Sequence, residues 1–137
     1  MPKRKNRIII DTNLWISFLL TNDFSKLDKV FVDKRVILLF SQILLDEFLE
    51  VAQRPKFKKY FSLPDLERLL LQIKNEAEFI EVTSDIRLCR DPKDDFLLSL
   101  AKDGKATHLI IDDKDLLDIE TFGATKIVTI ADYLSKE

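Results

Sequence analysis

Acidic side chains gather at the ends of two apolar runs in this chain. "LIIDDKDLL", at 109–117, begins as a β-branched run of the kind that forms a buried strand, then meets Asp112, Asp113 and Asp115 within four positions. "RIIID", at 7–11, closes in the same way on Asp11. Like charges about 4 Å apart repel by roughly 1 kcal/mol in water and about 4 kcal/mol at a near-surface effective dielectric, so such a cluster costs stability unless a cation sits among it. Carboxylates clustered without histidine or cysteine suit a hard divalent cation, Mg²⁺ or Mn²⁺, which keeps several waters for a substrate phosphate.

The elements that would position these acids can be read from the pattern. Apolar runs at 8–10, 35–41, 79–82, 108–112 and 126–130 predict five strands. Between them lie helical stretches: one starting with "NLWISFLL" at 13–20, an amphipathic one at 42–54 terminated by Pro55, one at 62–77 opened by Ser62, Pro64 and Asp65, one at 94–104 stopped by Gly104, and a last one at 131–136. Strands alternating with helices and few hairpin dipeptides predict an α/β fold, a three-layer α/β/α sandwich on a central, mainly parallel five-stranded sheet. With no linker, repeat or low-complexity segment, residues 1–137 form one domain. In such sheets ligands bind outside the carboxyl ends of the strands, where strand order reverses. If the first and fourth strands are neighbours, Asp11 shares an edge with Asp112 and Asp113.

Two helices can supply further acids. On the 42–54 helix, with Ile43 set at zero and about 100° per residue, the apolar side chains spread from roughly 0 to 240°, and Glu47 falls at about 40°, inside that arc. Asp46, Glu50 and Gln53 fall at roughly 280 to 340°. An acid on the apolar side must be paired, protonated or bound to a metal. On the later helix, Asp94 lies one turn below Leu97 and Leu98 on the buried side, whereas Asp95 stacks under Ser99 on the polar side. Each acid has an ordinary use as well: Asp11, Asp91, Asp94, Asp113 or Asp115 could cap a helix, and Glu47 could pair with Arg54 or a lysine. Convergence of Asp11, Glu47, Asp94 and Asp113 on one sheet edge is what argues for a site.

Composition bounds the alternatives. The 137 residues are 46% hydrophobic, enough for a real core, and 22 basic against 24 acidic side chains give a formal charge of −2. That balance carries no whole-chain signal for nucleic acid, though a local basic stripe is compatible with it. One stretch fits: "RPKFKKYF", at 54–61, sets Arg54, Lys56, Lys58 and Lys59 beside aromatics, suited to phosphate contacts and base stacking. The basic start, Lys3 to Lys5, is a second candidate for RNA contact. The single cysteine, Cys89, can form no internal disulfide and reads as a small core residue. "MPKRKNRIIIDTNLWISFLL" is broken by Asp11 and Asn13 and followed by no small-residue cleavage site, so it is read as part of the fold rather than a signal peptide, and the expected setting is cytoplasmic, with no membrane span.

Three segments in order, "IIIDTNLWIS", "SQILLDEFLEVAQRPKF" and "CRDPKDDFLLSLAKDGKATHLIIDDKDLL", resemble the PIN domain superfamily, in particular its branch of VapC-type toxins from toxin–antitoxin systems. The resemblance covers nearly the whole chain. It implies a Rossmann-like sandwich and a metal-dependent ribonuclease, whose acids match Asp11, Glu47, Asp94 and Asp113, with Asn13, Asp95, Asp112 and Asp115 supporting. In the family a small or hydroxyl residue and then Gly precede the fourth acid; here Ile111 and Asp112 stand in those places.

The chemistry expected is endonucleolytic hydrolysis of RNA. One or two Mg²⁺ or Mn²⁺ ions held by Asp11, Asp94 and Asp113 would polarise the scissile phosphate and activate a water for in-line attack, with Glu47 as holder of that water or base and Asn13 orienting Asp11. The resemblance also implies a cognate antitoxin over the acidic groove and a homodimer. A phosphoacceptor receiver domain would need an acceptor Asp after the third strand and a Lys after the fifth, where this chain has "FIEVTS" and "IVTIAD". The remaining rival is a catalytically degenerate domain of the same fold that binds RNA or protein.

Overall fold

Ile8, Ile9 and Ile10 are all fully buried. Successive strand residues point to opposite faces, so a run like this requires cover on both sides of the sheet. The computed structural model, which describes residues 6–31 and 35–136, supplies that cover with helices. In chain order the elements are β1 (Arg7–Ile10), α1 (Thr12–Thr21), α2 (Ser25–Phe31), β2 (Ile37–Phe40), α3 (Gln42–Ala52), α4 (Pro55–Lys58), α5 (Leu63–Glu76), β3 (Glu78–Phe79), α6 (Pro92–Asp103), β4 (His108–Ile110), α7 (Lys114–Leu117), β5 (Thr121–Phe122), β6 (Thr125–Val128) and α8 (Ile130–Lys136). Lys3 to Lys5 lie outside the described residues.

The sheet order is β3-β2-β1-β4-β6-β5. Every pairing is parallel except β5 with β6. The expected five-stranded sheet is therefore a mixed, mostly parallel six-stranded one. The extra strand comes from a hairpin whose two-residue loop, Gly123 and Ala124, begins with Gly123 at φ +59°. A positive φ at the first loop position and not at the second matches the type II′ turn, whose twist fits a β-hairpin.

Two more local readings change. Pro55 ends α3 as expected but also opens α4, where a missing N–H is harmless. Gly104 ends α6 without a left-handed backbone, at φ −84°; that role falls to Lys105 at φ +53°. Glycine is needed at 104 for space: a Cβ would stand 2.9 Å from the Leu100 carbonyl oxygen and 3.0 Å from the Leu39 side chain.

The third strand is shorter than the run at 79–82 predicts, because residues after Ile80 leave the sheet and are held by α6 instead. Asp103 accepts the N–H groups of Thr83 and Ser84 at 2.6 and 2.8 Å, Ser99 Oγ accepts that of Ile86 at 3.1 Å, and Asp95 accepts those of Leu88 and Cys89 at 3.0 and 2.8 Å. These three side chains recur every fourth residue, one stripe of a helix. The stripe reads as solvent-facing in sequence, yet Asp95 and Ser99 are buried beneath the segment they hold.

Trp15 fixes the end of β1. It is buried against Phe40 and Phe48, with ring centroids 5.9 and 6.3 Å away, and its indole N–H donates to the Ile10 carbonyl at 3.0 Å. Trp15 and Phe18 are thus core residues rather than a base-stacking surface.

Candidate active site

Strand order reverses between β1 and β4, which lie side by side in parallel register. A crevice forms outside the carboxyl ends of strands at such a point. Asp11 follows β1 directly, and its N–H extends the pairing to the Ile110 carbonyl at 3.1 Å. It is buried, caps α1, and accepts the Thr12 N–H at 2.8 Å. Burial pushes its carboxyl up to about 6; the Thr12 N–H opposes this, and the charge of Glu47 adds to it. Across the crevice, Asp113 caps α7 and accepts the Asp115 N–H at 2.9 Å.

Helices α3 and α6 pack on each other above this edge and add two acids. Ser41 starts α3, its hydroxyl accepting the Leu44 N–H at 3.1 Å. That start puts Glu47, half-buried, in the crevice on one row with Val51 and Arg54. Desolvation raises the Glu47 carboxyl, while the Lys93 ammonium and the Thr12 hydroxyl hold it down. That hydroxyl is itself buried and has no well-formed hydrogen bond. Asp91 caps α6 and accepts the Lys93 N–H at 3.0 Å, which sets Asp94 in the first turn. Asp94 is pushed up to about 7, first by desolvation, then by the charge of Asp113 and a hydrogen bond shared with it.

Together these residues line a cleft of about 260 Å³. Asp11, Asn13, Glu47, Asp94 and Asp113 meet there as the sequence predicts, with Arg54 and Lys56 on its wall. Asp95, Asp112, Asp115, Lys58 and Lys59 do not line it. Asp95 is committed to the 88–89 backbone, a correction to its reading as a polar-face neighbour of the site. Asp112 and Asp115 are exposed on either side of Asp113, Lys58 is exposed at the end of α4, and the Lys59 ammonium lies 5.2 Å over the Tyr60 ring. Arg54 is partly spent on Glu50, at 3.2 Å. Ile111 is fully buried in the core and does not line the cleft.

Lys93, which the sequence pattern does not single out, lines the cleft, and so does Asp91, read from sequence as a helix cap and a neighbour of Asp94. Lys93 carried a signal: a cation in the first turn of a helix opposes the helix dipole, so its placement asks for another reason. A larger hollow of about 510 Å³ between α2 and α5 is floored by Phe24, Leu27, Phe31 and Leu69, and none of the candidate acids reaches it. Among the described residues, no three His, Cys, Asp or Glu side chains already stand at the spacing that grips an ion. No helix among them is long and apolar enough to cross a membrane.

A mostly parallel α/β sheet with carboxylates from four separate segments at its switch point defines an α/β protein with an acidic cleft. The chain belongs to the PIN domain family, which it matches over residues 7–115, a span that takes in every acid of the cleft. PIN domains are typically nucleases. The chain is also similar to an uncharacterized protein of Methanocaldococcus jannaschii, 26% identical over 122 residues that cover 87% of this chain and 78% of that one.

Proposed function

We propose that this protein is a divalent-cation-dependent endoribonuclease whose active site is Asp11, Glu47, Asp94 and Asp113. The observation that carries this reading is the convergence of those four side chains, from four separate segments, on one cleft at the β1–β4 switch point. Their oxygens make a hard donor set, which fits Mg²⁺ or Mn²⁺. Asp11, Asp94 and Asp113 would hold the ion, with Asp11 and Asp94, whose carboxyls are raised, giving up their protons to it. The bound ion would supply Lewis-acid polarisation of the phosphate and an activated water.

The chain's own residues do the rest. Glu47, with its carboxyl raised by burial, is suited to take the proton of the attacking water. Asn13 lines the cleft two residues past Asp11, at the start of α1, where its side chain would orient that carboxylate. Lys56 and Phe57, on the same wall, offer a phosphate contact and a ring face. The toxin role, an antitoxin over the cleft, a homodimer and a cytoplasmic setting rest on the resemblance of the three sequence segments.

Cleavage of a mixed single-stranded RNA panel with Mg²⁺, Mn²⁺ or EDTA, beside Asp11→Asn and Asp94→Asn, tests the reading. Metal-dependent cutting that drops by at least about 100-fold in both variants is expected. Absence of cutting with every ion, while calorimetry still registers ion binding, would assign the fold to a non-catalytic binding role. Growth arrest on expression, relieved by Asp11→Asn, is the corresponding test of toxicity.

A further inference from the structure

The first turn of α6 brings Asp91, Lys93 and Asp94 to the cleft, and the chain reaches that turn through residues 88–90, which belong to no helix or strand. Pro92 has no N–H to give, so the turn closes on two bonds to Asp91, whose side chain accepts the Lys93 N–H and whose carbonyl accepts the Asp94 N–H, each at 3.0 Å. What ties the approach to the body of the protein is Asp95. Its Oδ1 accepts the N–H groups of both Leu88 and Cys89, which closes residues 88–95 into a ring. Among the described residues, no hydrogen bond outside this ring holds residues 88–90. Asp95 itself is buried and does not line the cleft.

We propose that Asp95 is a positioning residue of the nuclease site: by clamping Leu88 and Cys89 it fixes the turn that carries Asp91, Lys93 and Asp94, and so presets the cleft for its ion. The inference rests on the reading of the cleft as an ion-dependent nuclease site and goes beyond it, because Asp95 meets neither ion nor RNA. Two features separate this role from the mere satisfaction of two N–H groups. One is the kind of acceptor. A carboxylate binds an N–H more strongly than a neutral oxygen does, whereas one turn on, Ser99 holds Ile86 with a hydroxyl alone. The other is place. Ser99 and Asp103 anchor the same covering segment at Ile86, Thr83 and Ser84, none of which lines the cleft, so of the three anchors only Asp95 closes a ring through the site. Groups that hold an ion-binding side chain from behind in this way are worth about 10- to 100-fold in ion affinity.

Calorimetric titration of Mn²⁺ into the full chain, beside cleavage of single-stranded RNA, tests the assignment. Asp95→Ala should weaken Mn²⁺ binding and lower kcat by about 10- to 100-fold each, with KM for RNA little changed. Asp95→Asn, whose amide oxygen can accept the same two N–H groups, should recover most of both losses. Asp103→Ala also leaves two N–H groups without their acceptor, at the far end of the stripe, and should bind Mn²⁺ like the native chain. A further readout needs no variant: if the clamp favours the ion, the ion favours the clamp. Mg²⁺ should therefore slow hydrogen exchange of the Leu88 and Cys89 amides in the native chain more than that of Thr83 and Ser84. If folded Asp95→Ala binds Mn²⁺ like the native chain, or loses no more than Asp103→Ala, Asp95 is a structural anchor only, and this proposal is overturned while the nuclease stands. Should Asp95→Ala not fold, exchange at Leu88 and Cys89 that Mg²⁺ leaves unchanged overturns it equally. A native chain that neither binds these ions nor cuts RNA would bring down both readings.

Discussion

Asp94 and Asp95 are adjacent in sequence and serve different sides of α6: Asp94 lines the cleft with Asp113, and Asp95 accepts the N–H groups of Leu88 and Cys89 in the segment packed on the other side. One helix thereby carries both a reactive edge and the anchor for its covering loop. The two residues should respond in opposite ways to replacement.

Asp94→Asn relieves the repulsion and desolvation that raise this carboxyl, so the metal-free protein should melt a few degrees higher while cleavage is lost. Asp95→Ala leaves two backbone N–H groups unpaired and should lower Tm by on the order of 5 °C. Thermal melts of both variants in EDTA check the signs. A shared direction would contradict the division of labour.

Cys89 reports on the same anchor. Burial, first, and the neighbouring Asp95 carboxylate push its thiol up to about 12, so it should react slowly with a thiol reagent at neutral pH. Asp95→Ala should speed labelling several-fold, measured by absorbance or mass spectrometry under native conditions.

The metal-free protein should lose stability as pH rises toward neutrality. Asp11 and Asp94 keep their protons up to about 6 and about 7, whereas the unfolded chain releases them near 3.8. Between those values the folded state binds more protons, so the stability these groups contribute is whole below the unfolded value and is lost as pH rises through 6 to 7. Asp95 and Asp103 act in the other direction, since hydrogen bonds to their charged forms lower both; their contribution is present above the unfolded value and is lost as pH falls. Melts in EDTA should therefore show a maximum near about pH 4, close to the unfolded carboxyl value, and Mg²⁺ or Mn²⁺ at pH 8 should restore Tm. A flat profile between pH 5 and 8, unchanged by Asp94→Asn, would refute the assignment.

Trp15→Phe removes the donor to the Ile10 carbonyl while keeping most of the ring volume. The expected cost is about 1 kcal/mol in denaturant unfolding. Because Ile10 precedes Asp11, cleavage should fall about 10-fold more than the stability change explains.

Gly104→Ala should destabilise despite the better helix propensity of alanine. The gain of at most about 1 kcal/mol is outweighed by contacts of 2.9 and 3.0 Å to Leu100 and Leu39, an overpacking cost of roughly 1–3 kcal/mol. A midpoint in urea that moves upward would show that the Leu39 side chain yields.

The strands ending in Asp11 and Asp113 were legible because a β-branched run followed by an acid has few other readings, and the parallel order followed from the alternation of elements. Glu47 was found from its angular position on the helix, although Ile43, the reference of that apolar arc, is itself half exposed. Asp95 was misplaced because Ser99 reads as a surface residue; only the tertiary structure reveals a backbone segment laid over that stripe, with its N–H groups seeking acceptors. The β5–β6 hairpin was overlooked although "FGAT" carries its turn signal, since two-residue strands are too short to leave a periodicity. α2 was likewise unread among short polar–apolar alternations.

Both margins of the sheet consist of strands only two residues long, β3 on one side and β5 on the other. A second chain arriving at either margin finds room for little more than one rung of pairing, too little to template an added strand. Copies of this molecule are thereby poorly suited to stacking edge to edge into fibres.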